Sequence, residues 1–157
     1  MKKGTTIFLK LAVIIIGLVI IALCIWVPSL AKEAAEMNPE YAYLRYPVLI
    51  GVYIPVIPFF TALYQAWMLL RYIEQKQAFS PWAVAALKRI KVCGIAIGSI
   101  YIAGMLFLIS QNALHPGIAL IGLLIVFASF VIAVFSAVLQ ELLASALQIK
   151  KENELTI

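Results

Sequence analysis

Side chains able to do chemistry are few in this chain, and their spacing keeps them apart. Ser99, Ser110, Ser129 and Ser136 lie in or at the edge of apolar sequence. A serine nucleophile needs a base within hydrogen-bond reach and a group to orient that base. None of the four has an acidic or basic neighbour inside its run. The lone histidine, His115, and the nearest carboxylate after it, Glu141, are separated by a long apolar stretch. Cys24, Cys93 and His115 are too few and too scattered for a zinc site, which takes three or four convergent ligands. Neither catalysis nor a metal nor a cofactor is expected.

A second set of residues has a mechanical character. Pro55 and Pro58 sit in Tyr53-Ile54-Pro55-Val56-Ile57-Pro58. Each removes a backbone donor and clashes with the preceding turn, so a kink is expected. Thr61, Tyr64 and Gln65 follow. Together with Tyr101, Gln65 could line a cavity, and Pro55 and Pro58 could act as a hinge.

The elements that must position these residues are four apolar runs, Leu11–Leu30, Pro47–Leu70, Val92–Ser110 and Pro116–Leu139. No Asp, Glu, Lys or Arg falls inside any of them. Apolar residues make up 65% of the 157 and charged residues 12%, far from soluble composition. A spanning helix needs roughly 20 apolar residues, and all four runs meet or approach that. Continuous rather than alternating hydrophobicity excludes a β-barrel. The first run is longer than the apolar core of a signal peptide, so it is expected to stay as an uncleaved anchor. Leu23 is too bulky for Cys24 to be a lipidation site.

The net charge of +5 is an orientation signal rather than a sign of nucleic-acid binding. Lys2, Lys3, Lys10, Arg71, Lys76, Lys88, Arg89, Lys91, Lys150 and Lys151 fall on one side of a four-span topology; Lys32 and Arg45 fall on the other. The positive-inside rule then places both termini and the 71–91 loop in the cytoplasm, against anionic headgroups. In that topology His115 and Glu141 lie on opposite faces. Cys24 and Cys93 lie about 20 Å or more apart, beyond the roughly 7 Å Cα limit for a disulfide.

These features predict an all-α membrane protein of one domain, residues 1–157. It is a four-transmembrane-helix up-down bundle, with spans at about 8–30, 47–70, 92–110 and 116–139. Helix one is expected to begin at Thr5 or Thr6 and to end before Pro28. Asn38-Pro39 marks a turn in a short outer loop, and Tyr41, Tyr43 and Tyr46 form an aromatic belt or a stacking surface. Ser80 caps a helix that runs unbroken from Pro81 to about Ser110. Gly94 and Gly98 are spaced for close helix packing, within the chain rather than between copies, and Ser129, Ala133 and Ala137 form a small-residue stripe. No stop follows Leu139, so residues 140–157 continue as a cytoplasmic amphipathic helix.

The 71–91 loop and this tail share one side and make a candidate partner surface: Arg71, Lys88, Arg89, Lys91, Lys150, Glu152, Glu154 and Leu155. Two stretches also carry a likeness. One is Leu69-Leu70-Arg71-Tyr72-Ile73-Glu74, with Ala78-Phe79-Ser80 and Ala86-Leu87-Lys88-Arg89-Ile90; the other is the ending Ile149-Lys150-Lys151-Glu152-Asn153-Glu154-Leu155-Thr156-Ile157. With four spans around them, the chain resembles the bacterial membrane family of domain of unknown function 2975. Glu154 stands where that family often has Asp. The resemblance implies no assigned activity or site residue. It does imply a candidate partner, a small helix-turn-helix transcription regulator, because genes of the family commonly neighbour one.

The expected function is a non-enzymatic sensor or regulator in the bacterial cytoplasmic membrane that engages such a partner. The alternative is a small transporter or immunity-type protein for an apolar compound, although no carboxylate lies at depth for proton coupling. Homo-oligomerisation stays open.

Overall fold

The computed structural model describes residues 3–156 and is helical almost throughout, with no strand among the described residues. Lys2 of the charge pattern and Ile157 of the terminal motif lie outside the described residues. The elements are α1 (Lys3–Met37), a short 3-10 helix (Pro39–Leu44), α2 (Arg45–Tyr53), α3 (Val56–Glu74), α4 (Pro81–Ser110) and α5 (Pro116–Thr156). Among the described residues, four helical stretches are long and apolar enough to cross a bilayer: α1, the stretch from the 3-10 helix through α3, α4 and α5. For sequences this rich in Ile and Val, the helix is set by the need to satisfy every backbone group internally rather than by intrinsic propensity.

Two expectations for α1 are corrected. The helix is already formed at Lys3, so Thr5 and Thr6 lie within it rather than at its cap, and Thr6 is buried. The helix also runs through Pro28 to Met37 instead of ending before the proline. Pro28 has no N–H for the carbonyl one turn back, that of Cys24. The Tyr53 hydroxyl donates to that carbonyl at 2.7 Å, which satisfies the freed group and holds α1 against α2. The loop after α1 is correspondingly short: Asn38 breaks the helix, and a 3-10 turn leads directly into α2.

The kink expected at the proline pair is a break between α2 and α3 at Ile54-Pro55. Pro55 is buried and serves as the N-cap position of α3, and Pro58 falls in the first turn. The Ile54 carbonyl, which Pro58 cannot reach, accepts from the Ile57 N–H at 3.2 Å. The Thr61 hydroxyl donates to the Ile57 carbonyl at 2.9 Å.

α4 and α5 form the tightest pair. A Cβ on Gly94 would meet the Ser129 carbonyl oxygen at 2.9 Å and the Ala133 Cβ at 3.2 Å; one on Gly98 would meet the Phe130 ring at 3.0 Å. A Cβ on Gly122 would meet Met105 Sδ closer still, at 2.6 Å. The glycine pair and the Ser129–Ala133 stripe therefore serve one internal interface, as the spacing predicts. Ala133, Ser129 and Ser136 are buried there. The register pairs Gly94 with Ala133, Gly98 with Phe130 and Met105 with Gly122, which places Pro81 opposite about Ala146 for antiparallel helices of equal rise. The last turns of α5 pass beyond the start of α4.

The helices pack in a row rather than as a closed four-helix bundle. α1 lies on α2 and α3, α3 on α4, and α4 on α5; α1 and α5 make no backbone approach to each other among the described residues. The core sits between α3, α4 and α5, with Leu70, Ala83, Ala86, Leu87, Cys93 and Ala133 buried. Along α1 the buried residues are Thr6 and Gly17. The accessible surface is 10699 Å² for 17.3 kDa, against about 7,800 Å² for a compact soluble monomer of that mass. Water would close such a row, whereas lipid tails solvate the apolar faces and supply no force to do so.

Candidate functional site

Two ends of the row carry almost all the polar chemistry. At the basic end, α3 stops at Glu74 and the chain turns through Lys76, whose φ of 59° lies in the left-handed region. The Gln77 N–H returns to the Tyr72 carbonyl at 2.7 Å, closing a Schellman turn. Ser80 then caps α4, its hydroxyl oxygen accepting from the Ala83 N–H at 3.3 Å. Lys10 reaches this end from α1. Its Nζ meets Glu74 Oε2 at 2.6 Å and lies 5.0 Å from the Trp67 ring centroid.

The predicted partner-surface residues are placed there in two groups. Arg71, Lys88 and Arg89 are exposed, and Lys91 is half-buried. Arg89 also reaches inward, its Nη1 making a long 3.5 Å hydrogen bond to Oε1 of buried Gln65. The structure thus joins a residue expected at the surface to one expected in a cavity. On the last turns of α5, Lys150, Glu152, Glu154 and Leu155 are all exposed. Leu139, Leu142 and Ile149 are exposed on one stripe of that helix, at spacings of three and seven.

At the opposite, tyrosine-rich end, the 3-10 helix crosses from α1 to the turn between α4 and α5. The Tyr41 hydroxyl donates to the Asn112 carbonyl at 3.1 Å, and the Tyr43 hydroxyl to Gln111 Oε1 at 3.0 Å. Asn112 takes a φ of 53° and forms a second Schellman turn through the Ala113 N–H to the Leu108 carbonyl. His115 caps α5: its Nδ1 accepts from the Gly117 N–H at 3.0 Å. Beneath these bridges lies an open chamber of about 570 Å³. Ala31, Ala34 and Ala35 form its α1 wall, and Leu44, Arg45 and Val48 its second side. Leu108, Ala113, His115 and Ile118 complete it. Pro55, Pro58, Gln65 and Tyr101 do not line it.

Neither the chamber nor Arg45 stands out in the sequence. The one available signal was that Arg45 is one of only two basic residues on that side, set among three tyrosines. The tyrosine hydroxyl bridges had no sequence signal, because their acceptors are a backbone carbonyl 71 positions away and a glutamine 68 positions away.

The comparisons agree with the architecture. The family described as "Protein of unknown function (DUF2975)" matches residues 29–157. The chain is 51% identical over 160 residues to the uncharacterized membrane protein YoaS of Bacillus subtilis strain 168, covering 100% of both chains. No solved structure matches at a significant level. With the family match running over both the basic loop and the tail, and the relative similar from end to end, this chain is a membrane protein belonging to the DUF2975 family.

Proposed function

We propose that the chain is a non-enzymatic regulator of the bacterial cytoplasmic membrane that holds a cytoplasmic protein partner through its basic end and the tail of α5. The observation that carries this reading is the length of α5. Its 41 residues make about 60 Å of helix, roughly twice the hydrocarbon core. The portion past Leu139 stays helical and presents Leu142 (63% exposed) and Ile149 (59% exposed) on a stripe that no other helix covers. An amphipathic helix end with anchors at such spacing is a common docking element.

The same reading puts both termini and the 71–91 loop on the cytoplasmic face. Ten basic residues against two support that orientation. The Lys10–Glu74 pair supports the shared side of the α1 start and the α3–α4 loop. The implied partner class is a small helix-turn-helix regulator, which the membrane protein would keep away from DNA. Co-expression of the full chain with the neighbouring regulator, followed by capture through the membrane protein, tests this. Capture is expected, and it is expected to be lost on removal of residues 148–157. Unchanged capture after that deletion rejects the tail as the contact; no capture by the full chain rejects the partner.

A further inference from the structure

The chamber at the tyrosine end is built for a ligand of definite chemistry. Most of its wall is small or aliphatic: the alanines of α1, with Val48, Leu108 and Ile118 opposite. One formal charge borders it, the Arg45 guanidinium, and no carboxylate lines it. Arg45 Nε is buried and has no hydrogen-bond partner. The contact that Arg45 does make is with the Tyr46 ring, 5.3 Å from the guanidinium carbon to the centroid. Nearby acceptors are already engaged: the Ala34 carbonyl takes the Asn38 N–H and Nδ2, and the Asn112 carbonyl takes Tyr41. Leaving that Nε donor buried and unmatched is unfavourable. The start of α5 adds the positive end of a long helix to the same wall.

We propose that this chamber binds an amphiphile with a single anionic head. The head pairs with the Arg45 guanidinium, whose planar fork fits a carboxylate or a phosphodiester. The apolar body lies along the alanine wall of α1 and against Val48, Leu108 and Ile118. A volume of about 570 Å³ accommodates the head and the first part of a chain, and the open side of the chamber lets the rest continue into the bilayer. This head chemistry has two sources, an anionic phospholipid of the membrane or a free fatty-acid-like carboxylate. The site stands apart from any cytoplasmic partner, so its test needs none.

The test uses the purified full chain in phosphatidylcholine nanodiscs, with phosphatidylglycerol and decanoate as separate probes and native mass spectrometry as the readout. At least one probe is expected to bind one-to-one, ahead of phosphatidylcholine. Phosphatidylglycerol alone identifies a membrane lipid, decanoate alone a free acid, and both the shared head chemistry. Arg45→Met is expected to weaken binding about tenfold or more, while Lys32→Met, away from the chamber wall, leaves it unchanged. Ala34→Phe, at an exposed position on the wall, is expected to block both probes by filling the space. Binding of neither probe, equal occupancy by phosphatidylcholine, or full binding by Arg45→Met or Ala34→Phe overturns the assignment.

Discussion

Pro28 shows how one side chain can rescue another residue's missing hydrogen bond. Its absent N–H frees the Cys24 carbonyl, and Tyr53 fills the gap from α2. Tyr53→Phe should lower stability by about 1 kcal/mol, the net value of such a bond. In a Pro28→Ala background the backbone N–H returns, and the same change should cost distinctly less. Unfolding free energies of the four variants in mixed micelles read this coupling, and additive losses would separate the two residues. Lys76 offers a second case. It holds a left-handed φ that glycine adopts without strain, so Lys76→Gly should raise stability by up to about 1 kcal/mol in the same measurement. Neither point was legible in the sequence. The Pro28 signal read as a stop because its remedy comes from 25 positions away, and the Schellman turn at Lys76 lacks the glycine that normally announces one.

At the scale of helices the sequence is far more transparent. Ser80-Pro81 marked the start of α4, and the uncharged runs marked the four helices long and apolar enough to span, because caps and hydropathy act locally. The Gly94 and Gly98 spacing also named its own interface. Gly94→Ala should destabilise by about 1–3 kcal/mol, since its Cβ would meet a backbone oxygen that cannot move aside. Gly104→Ala, with open space around it, should be neutral or slightly stabilising. Comparing the two by thermal unfolding separates close packing from simple loss of glycine flexibility. What the sequence did not show was how far α1 outruns its apolar core, to Met37, because Pro28 read as a stop. The exposure of Arg71, Lys88 and Arg89 follows from their place outside the apolar runs, but the Arg89–Gln65 contact had no sequence signal.

Across the whole molecule, the open row of helices separates two kinds of surface. One end carries a tyrosine-bridged chamber with a single arginine; the other carries the basic loop and the protruding end of α5. α4 links them, since its start borders the basic loop and its end borders the chamber. A four-span topology requires these ends to face opposite sides of the membrane. With Cys24 and Cys93 replaced by alanine, single cysteines at Glu40, Gln77 and Gln148 can be probed with a membrane-impermeant maleimide on intact spheroplasts. Labelling of Glu40→Cys alone is predicted, with Gln77→Cys and Gln148→Cys reacting only after permeabilisation. Labelling of either of those two in intact spheroplasts, or protection of Glu40→Cys, would contradict the four-span arrangement with its charged end inside.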